Sequence, residues 1–180
     1  MKLPASLSTD RLLLRPPVMA DALQIFERYA QDPAVSRYMS WRPHRTLDDT
    51  VAYLERLLAM EEKKSYGYLI FEKATGRLLG SVGGGVTETQ NGRVQFGYCL
   101  ARDSWGRGFA TEASRAFVEN VMQDQAIWRI QAFCDVENRA SARVLEKSGL
   151  TLEGTLRLYM ILPNLGDRPR DVHCYAKVRT

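Results

Sequence analysis

The sequence predicts a single α+β domain over residues 1–180, with a mixed β-sheet of about seven strands and helices on both faces. Three observations carry that prediction. Short runs of alternating apolar and polar residues interchange with longer runs of helical spacing, in the order β-α-α-β-β-β-α-β-α-β-β. Turn signals at Lys73-Ala74-Thr75-Gly76 and Gln90-Asn91-Gly92 join the central strands into a meander. Hydrophobic content of 45% and charged content of 26% suit a chain of 180 residues that buries one core.

Leu12 and Leu14 alternate with Leu13 and Arg15 in a short strand that Pro16-Pro17 stops. Residues 19–30 follow as a helix with Leu23, Phe26 and Ala30 on its stripe, ended by Asp32-Pro33. Residues 34–45 are irregular and mix Tyr38, Met39 and Trp41 with Arg37, Arg42 and His44; they read equally as a connecting loop over a buried Trp41 or as a substrate-facing wall. Thr46 caps a second helix with Asp49 in its first turn. Leu47, Val51, Leu54 and Leu58 form its stripe, and Glu61-Glu62-Lys63-Lys64 its solvated end. Strands are expected at 66–72, 77–86 and 94–100, with Gly83-Gly84-Gly85 marking a bulge or a close helix contact.

A helix over 110–123 turns Ala113, Phe117 and Val121 inward. A strand over 128–134 precedes a helix over 138–148, with Asn138 as N-cap and Gly149 as the residue just past its end. A strand then runs from 150 to 161, and a loop covers 163–169. Residues 171–179 alternate strictly, with Val172, Cys174, Ala176 and Val178 on one side and His173, Tyr175 and Lys177 on the other.

Composition excludes several classes. No apolar run reaches the ~18 residues a membrane span needs. Residues 1–10 lack the basic-then-apolar layout of a secretory signal. Cys99, Cys134 and Cys174 sit in strand-like runs at no metal-ligand spacing, so reduced thiols in a cytoplasmic protein are expected. The chain has only 2 histidines, so no metal site is expected. A net charge of +4 without a block of like charges gives no tail for nucleic acid; it fits attraction of a polyanionic small ligand, work near ribosomes, or no charged partner at all.

The stretch from Ser104 to Ala113 carries the chemistry. Gly106 and Gly108 let backbone approach a ligand closely just after a strand. The first N–H groups of the following helix lack internal partners and carry partial positive charge. Turn and helix start together form an anion site suited to phosphate, with Arg107 as an added donor. A plain strand-to-helix turn without a ligand is the alternative. The P-loop is excluded, because no Lys-Ser/Thr pair closes the motif. So is the dinucleotide fingerprint, whose third glycine is missing.

With these residues in place the chain resembles the GNAT superfamily of acetyl-CoA-dependent N-acetyltransferases, and within it the Rim-type ribosomal-protein alanine acetyltransferases. Thr9 through Arg15 looks like the family's first strand. Trp105-Gly106-Arg107-Gly108-Phe109-Ala110-Thr111-Glu112-Ala113 looks like its pyrophosphate motif. Asn138-Arg139-Ala140-Ser141, with Lys147-Ser148-Gly149-Leu150, looks like its second cofactor motif. Glu153-Gly154 and Asp171 with Tyr175-Ala176 look like its C-terminal hairpin.

The resemblance implies a centrally splayed sheet, acetyl-CoA as co-substrate without metal, and direct attack of a primary amine on the thioester. The amine is a protein N-terminus or a small molecule; the competing class is a non-catalytic CoA-binding module of the same fold. It implies a monomer or homodimer. Backbone N–H groups of Gly106, Arg107, Gly108, Phe109, Ala110 and Thr111 would hold the pyrophosphate, with Trp105 beside them. The backbone at Cys99 and Leu100 would line the pantetheine slot, and an N–H near Leu100 would meet the oxyanion. Asn138 would contact the pantetheine amide, and Ser141 the leaving sulfur.

The tyrosine acid that many members carry is replaced here by Leu145, and the base is left to Glu88, Glu153, Asp171 or water. Without a strong base, an α-amine of pKa about 7.9 is favoured over a lysine of pKa about 10.4 by about 3.4 kcal/mol of deprotonation cost. Arg37, Arg42 and Arg168 hint at an acidic acceptor.

Overall fold

A computed structural model describes residues 4–59, 65–88 and 91–179. The expected helix end at 61–64 and Gln90 of the expected turn lie outside the described residues.

The strands are β1 (Leu7–Ser8), β2 (Leu12–Arg15), β3 (Ser65–Glu72), β4 (Leu78–Glu88), β5 (Arg93–Leu100), β6 (Arg129–Asp135), β7 (Thr151–Met160) and β8 (Arg170–Val178). They form one 8-stranded sheet in the order β1-β2-β3-β4-β5-β6-β8-β7. The helices are α1 (Ala22–Ile25), α2 (Pro33–Ser36), α3 (Leu47–Ala59), α4 (Phe109–Gln123) and α5 (Arg139–Lys147). The extra strand against the expectation is β1, a two-residue pairing with β2. No helix among the described residues is long and apolar enough to cross a membrane.

Both faces of the sheet are covered. On one, Phe117, Ala113 and Val121 of α4 and Leu145 of α5 pack on Leu12, Leu14, Tyr68, Ile70 and Phe96. On the other, Ile25, Tyr29 and Leu54 pack on Leu69, Phe71 and Cys99. A buried aromatic such as Phe117 contributes about 1.5–3 kcal/mol of burial. The α5 end matches its signals. Gly149 has φ +86; its N–H reaches Glu146 O and the Leu150 N–H reaches Leu145 O, the paired bonds of a Schellman cap.

The sheet parts in the middle. Every neighbouring pair is antiparallel except β5 and β6, which are parallel. That parallel ladder covers only Arg93–Gln95 against Arg129–Gln131. Beyond it β5 stays on β4 through Leu100, while β6 stays on β8 through Asp135. The two strands therefore diverge towards the end from which β5 feeds α4.

Several local expectations change. Residues 19–30 are a 3-10 turn, α1 and a π-type turn over Phe26–Ala30. The buried residues there are Ala22, Ile25, Tyr29 and the expected Ala30, while Leu23 faces solvent. Asp32 does not merely end that segment. Its carboxylate caps α2 at the Ala34 N–H, with Pro33 in the first turn, so residues 34–45 begin as a helix. In α3, Leu54 is buried but Leu47 and Leu58 are exposed. Asp49 does sit in the first turn, accepting from the N–H groups of Arg45 and Thr46.

The ladder is regular through Gly83-Gly84-Gly85, and the irregularity lies at Val86/Glu88. Gly84 is required because a Cβ would lie 2.3 Å from Gln95 O of the next strand, so the contact is with a strand and not a helix. In β8, Tyr175 is buried along with Val172, Cys174 and Ala176, because α5 covers the second face and Glu146 accepts its hydroxyl.

Asp103, in the 3-10 turn Arg102–Ser104 after β5, ties distant segments together. It accepts from Arg28 at 2.8 and 2.9 Å and from Arg77 and Ser104. Arg28 first, then Ser104 and Arg77, hold its carboxyl down to about 2. A depressed carboxyl contributes stability above its unfolded pKa of about 3.9 and loses it as pH falls through the folded value. Acid titration of unfolding should therefore show stability falling between about pH 4 and pH 2, and Asp103→Asn should both lower the melting temperature at pH 7 and flatten that fall.

Candidate active site

The glycine turn opens α4 without a side-chain cap. Gly106 and Gly108 have φ +73 and +80, a region open to glycine and strained for other residues. Gly108 is the N-cap, and the first helical bond runs from the Glu112 N–H to Gly108 O at 3.1 Å. The N–H groups of Phe109, Ala110 and Thr111 therefore have no partner within the helix and point out of its positive end.

Side chains around the turn serve other ends. Arg107 pairs with Glu72 at 2.9 Å, so its guanidinium leans along the sheet edge. Phe109 is buried, and the guanidinium carbons of Arg11 and Arg107 each lie 4.6 Å from its ring centroid.

The turn is held from the other end of the chain. Glu112 accepts from Thr9 Oγ1, from the Arg11 N–H at 3.0 Å and from Arg11 Nε at 2.7 Å. Arg11 also donates to Arg107 O at 3.0 Å. Burial would raise the Glu112 carboxyl, but these donors outweigh it and hold it below its usual range. An ionised Glu112 in the first turn suits the helix dipole, and Arg11 offsets its charge beside the anion site. A hollow of about 540 Å³ adjoins the turn, lined by Arg11, Gly108, Thr111, Arg115 and Lys147 among others. Its three basic side chains, Arg11, Arg115 and Lys147, stand among three acidic ones, Asp10, Glu112 and Glu119.

At the diverging end of β5, the Ala101 N–H donates to Leu79 O at 2.7 Å, which sets the phase of the β4–β5 ladder. Alternation then turns the Cys99 N–H and C=O to Ser81 of β4, and those of Leu100 towards the gap. The Leu100 carbonyl accepts from the indole Nε1 of Trp105 at 2.8 Å. Its N–H is left facing the gap. The Cys99 side chain lies on the face of α1, 3.4 Å from Ser81 Oγ, with its thiol pushed up by burial.

Across the gap stands α5. The Asn138 Oδ1 accepts from the Ser141 N–H at 3.1 Å and so caps the helix. Ser141 Oγ accepts from the hydroxyl of Tyr98 at 3.0 Å. Sequence reading missed Tyr98. It excluded a tyrosine at Leu145, which is indeed buried core. A different tyrosine reaches the same helix from β5. The alternation of Phe96, Tyr98 and Leu100 signals their shared face, but nothing in the sequence shows which helix lies over it. Burial pushes the Tyr98 phenol up to about 12, so it stays protonated and donates. The two cofactor-like motifs are tied together: Arg115 donates to Lys147 O at 2.6 Å and Ser148 Oγ to Thr111 O at 3.4 Å.

Two of the three carboxylates considered as bases are engaged in the structure. Glu153 forms a bidentate pair with Arg129, whose guanidinium holds its carboxyl down. Asp171 accepts the Leu158 N–H at 2.8 Å. The Glu88 side chain lies outside the described residues.

A second cavity, of about 300 Å³, lies on the opposite face between the sheet and α1 and α3. Trp41 of the expected wall lines it, whereas Arg37, Arg42 and Arg168 do not. Asn164 of the 163–169 loop donates to Ser36 O at 2.6 Å and to Trp41 O at 2.8 Å, joining the two expected walls.

Comparison with known proteins agrees with this arrangement. The acetyltransferase (GNAT) domain family matches residues 11–151. The chain is 30% identical over 155 residues to the uncharacterized N-acetyltransferase p20 of Bacillus licheniformis, covering 86% of each. It is 30% identical over 174 residues to the uncharacterized N-acetyltransferase YoaA of Bacillus subtilis, covering 96% of each. In fold it is similar to RimL, a ribosomal L7/L12 alpha-N-protein acetyltransferase solved with coenzyme A, with TM-score 0.83, 21% identity and coverage of 99% of this chain and 98% of that one. A sheet parted between β5 and β6, a glycine turn at its mouth and a match over most of the length lead to one conclusion: the chain belongs to the GNAT family of N-acetyltransferases.

Proposed function

We propose that this protein transfers an acetyl group from acetyl-CoA to a primary amine by direct attack. The observation that carries the reading is the gap between β5 and β6, with the Leu100 N–H turned into it and the bare N–H groups of the α4 start at its mouth. The pyrophosphate fits the N–H groups of residues 106–111, and the pantetheine arm fits the gap. The fit rests on backbone that no side chain obstructs: a Cβ at Gly106 meets nothing within 4 Å.

In the reaction the amine nitrogen bonds to the thioester carbon, and the carbon–sulfur bond then breaks. The Leu100 N–H donates to the carbonyl oxygen as charge develops, a contribution of about 3 kcal/mol for a preorganised donor. The departing thiolate takes a proton, and the nitrogen gives one to water. Ser141 Oγ–H donates to the sulfur while accepting from Tyr98, and the chained bonds polarise each other. A phenol at about 12 does not give up its proton to a thiolate near 8.5, so Tyr98 is a positioning residue for Ser141.

With Glu153 and Asp171 engaged elsewhere, the acceptor is an amine that is already partly neutral. That favours an α-amine, the class named for RimL, over a lysine side chain.

Release of free thiol from acetyl-CoA in the presence of α-amines tests the reading. Turnover with an α-amine above the background of acetyl-CoA alone is expected; acetyl-CoA binding without any turnover would leave a CoA-binding module instead. Ser141→Ala should lower turnover about tenfold or more with acetyl-CoA affinity nearly intact, and Tyr98→Phe should lower it about fivefold by the loss of one hydrogen bond. Unchanged turnover in both would reduce Ser141 to a helix cap. Gly108→Val should abolish acetyl-CoA binding. Its φ of +80 strains any side chain, so circular dichroism must show a folded protein and Gly108→Ala should weaken binding in the same direction.

A further inference from the structure

A row of glycines crosses the floor of the 300 Å³ cavity. Gly67 of β3 stands opposite Gly83 of β4, which stands opposite Gly97 of β5. Residues directly opposite share a face of the sheet, and all three line this cavity. Folding does not ask for glycine at the ends of the row. Neither Gly67 nor Gly97 has a positive φ, and a Cβ at either would meet nothing within 4 Å. Glycine inside a strand costs stability through backbone entropy and absent packing. Gly84, one residue from the row, differs: there the neighbouring strand forbids a side chain. The ends of the row are open ground where β-branched residues would normally stand.

The walls over this floor are apolar and uncharged, with aromatic rings set among Ile25, Met39, Leu54 and Leu57. Trp41, Tyr53 and Tyr29 line the cavity, and among the described residues no charged side chain does. The rings of Trp41 and Tyr53 are braced by His44, with centroids 5.8 and 5.9 Å from its ring. His44 is itself held by Thr50 at 2.7 Å. Polar atoms on the floor are the Ser81 hydroxyl and Cys99 thiol, which bond to one another. The row spans two strand spacings, about 10 Å, and ends at β5, the strand that borders the gap. A group lying along it puts one end under the aromatic walls and the other beside the acetyl donor.

We propose that the acceptor is an α-amine whose own side chain is aromatic, with the ring on the glycine floor and the nitrogen at the Gly97 end. This deepens the acetyltransferase reading above and rests on it. A flat ring fills a trough floored by glycine and walled by Trp41 and Tyr53, and a carboxylate would be desolvated there without a partner. The uncharged surroundings also lower the pKa of the entering amine, which supplies neutral nucleophile without a base. A free amine and a peptide N-terminus share this chemistry.

The test compares phenylalanine amide with the amides of leucine, alanine and aspartic acid, and with a phenylalanine-led peptide, by thiol release from acetyl-CoA. Phenylalanine amide should exceed the other amides about tenfold or more in kcat/KM. Its rate relative to the phenylalanine-led peptide tells whether the ring arrives on a free amine or on a protein. Gly67→Val should cut kcat/KM for phenylalanine amide about tenfold or more and collapse its advantage over alanine amide, because the added methyls stand where the ring lies. Calorimetry should show acetyl-CoA affinity unchanged and melting temperature equal or higher, with Gly67→Ala intermediate. Equal rates for all amides, a preference for leucine or aspartic acid amide, or an undiminished aromatic preference in Gly67→Val would overturn this proposal while acetyl-CoA binding persists. Absence of acetyl-CoA binding in the unaltered protein would overturn the transferase reading itself.

Discussion

The parting of β5 from β6 after three paired residues is the constraint on which the rest of the molecule depends. Parallel strands need a long crossover, and here α4 supplies it. Each strand keeps its antiparallel partner on the outer side, β4 for β5 and β8 for β6, so the divergence leaves both strands half-satisfied and stable. The unsatisfied half is the inner edge. Buried backbone donors without partners are costly. A gap edged with them is therefore poised for a ligand rich in carbonyl and amide groups. The Trp105 indole at Leu100 O answers one acceptor on that edge and leaves the adjacent N–H free.

Charge is arranged around this gap by position. At the mouth, Arg11 and Glu112 neutralise one another while the helix N–H groups stay bare. Asp103, just upstream of the turn, is paired with Arg28 and Arg77, which fixes the exit of β5. Asp135, buried at the end of β6, is held ionised by Arg170 despite the burial that opposes it. The cavity lining differs: among the described residues no charged side chain lines it, and Tyr29 and Cys99 there are pushed up by burial and stay neutral.

The strand and helix order was legible because its signals were local. The Asn138 cap, the Gly149 Schellman turn and the Ala113–Phe117–Val121 stripe depend on neighbours a few residues away. The glycine turn was legible for the same reason. What escaped depends on partners far along the chain. Tyr98 meets Ser141 across 43 positions, and Glu112 meets Arg11 across 101. In the α1 region the inward face differs from the expected one: Ala22, Ile25 and Tyr29 keep helical spacing, but the partners across the sheet decide which face turns in, so Tyr29 and not Leu23 is buried while Ala30 is buried as expected. Arg107 lies in the glycine turn, and its guanidinium pairs with Glu72, a residue that no sequence signal links to it. The glycine row is invisible in one dimension, since Gly67, Gly83 and Gly97 become neighbours only through the register of three strands.

The central claim is that backbone N–H groups at the glycine turn and along the gap receive the cofactor. Backbone amide chemical shifts of nitrogen-15-labelled protein, recorded while coenzyme A is added, test it most directly. The largest changes are expected at residues 106–111 and at Leu100, with little change at Cys99, whose N–H is turned to β4. Changes confined to other surfaces, or none at saturating coenzyme A, would contradict it.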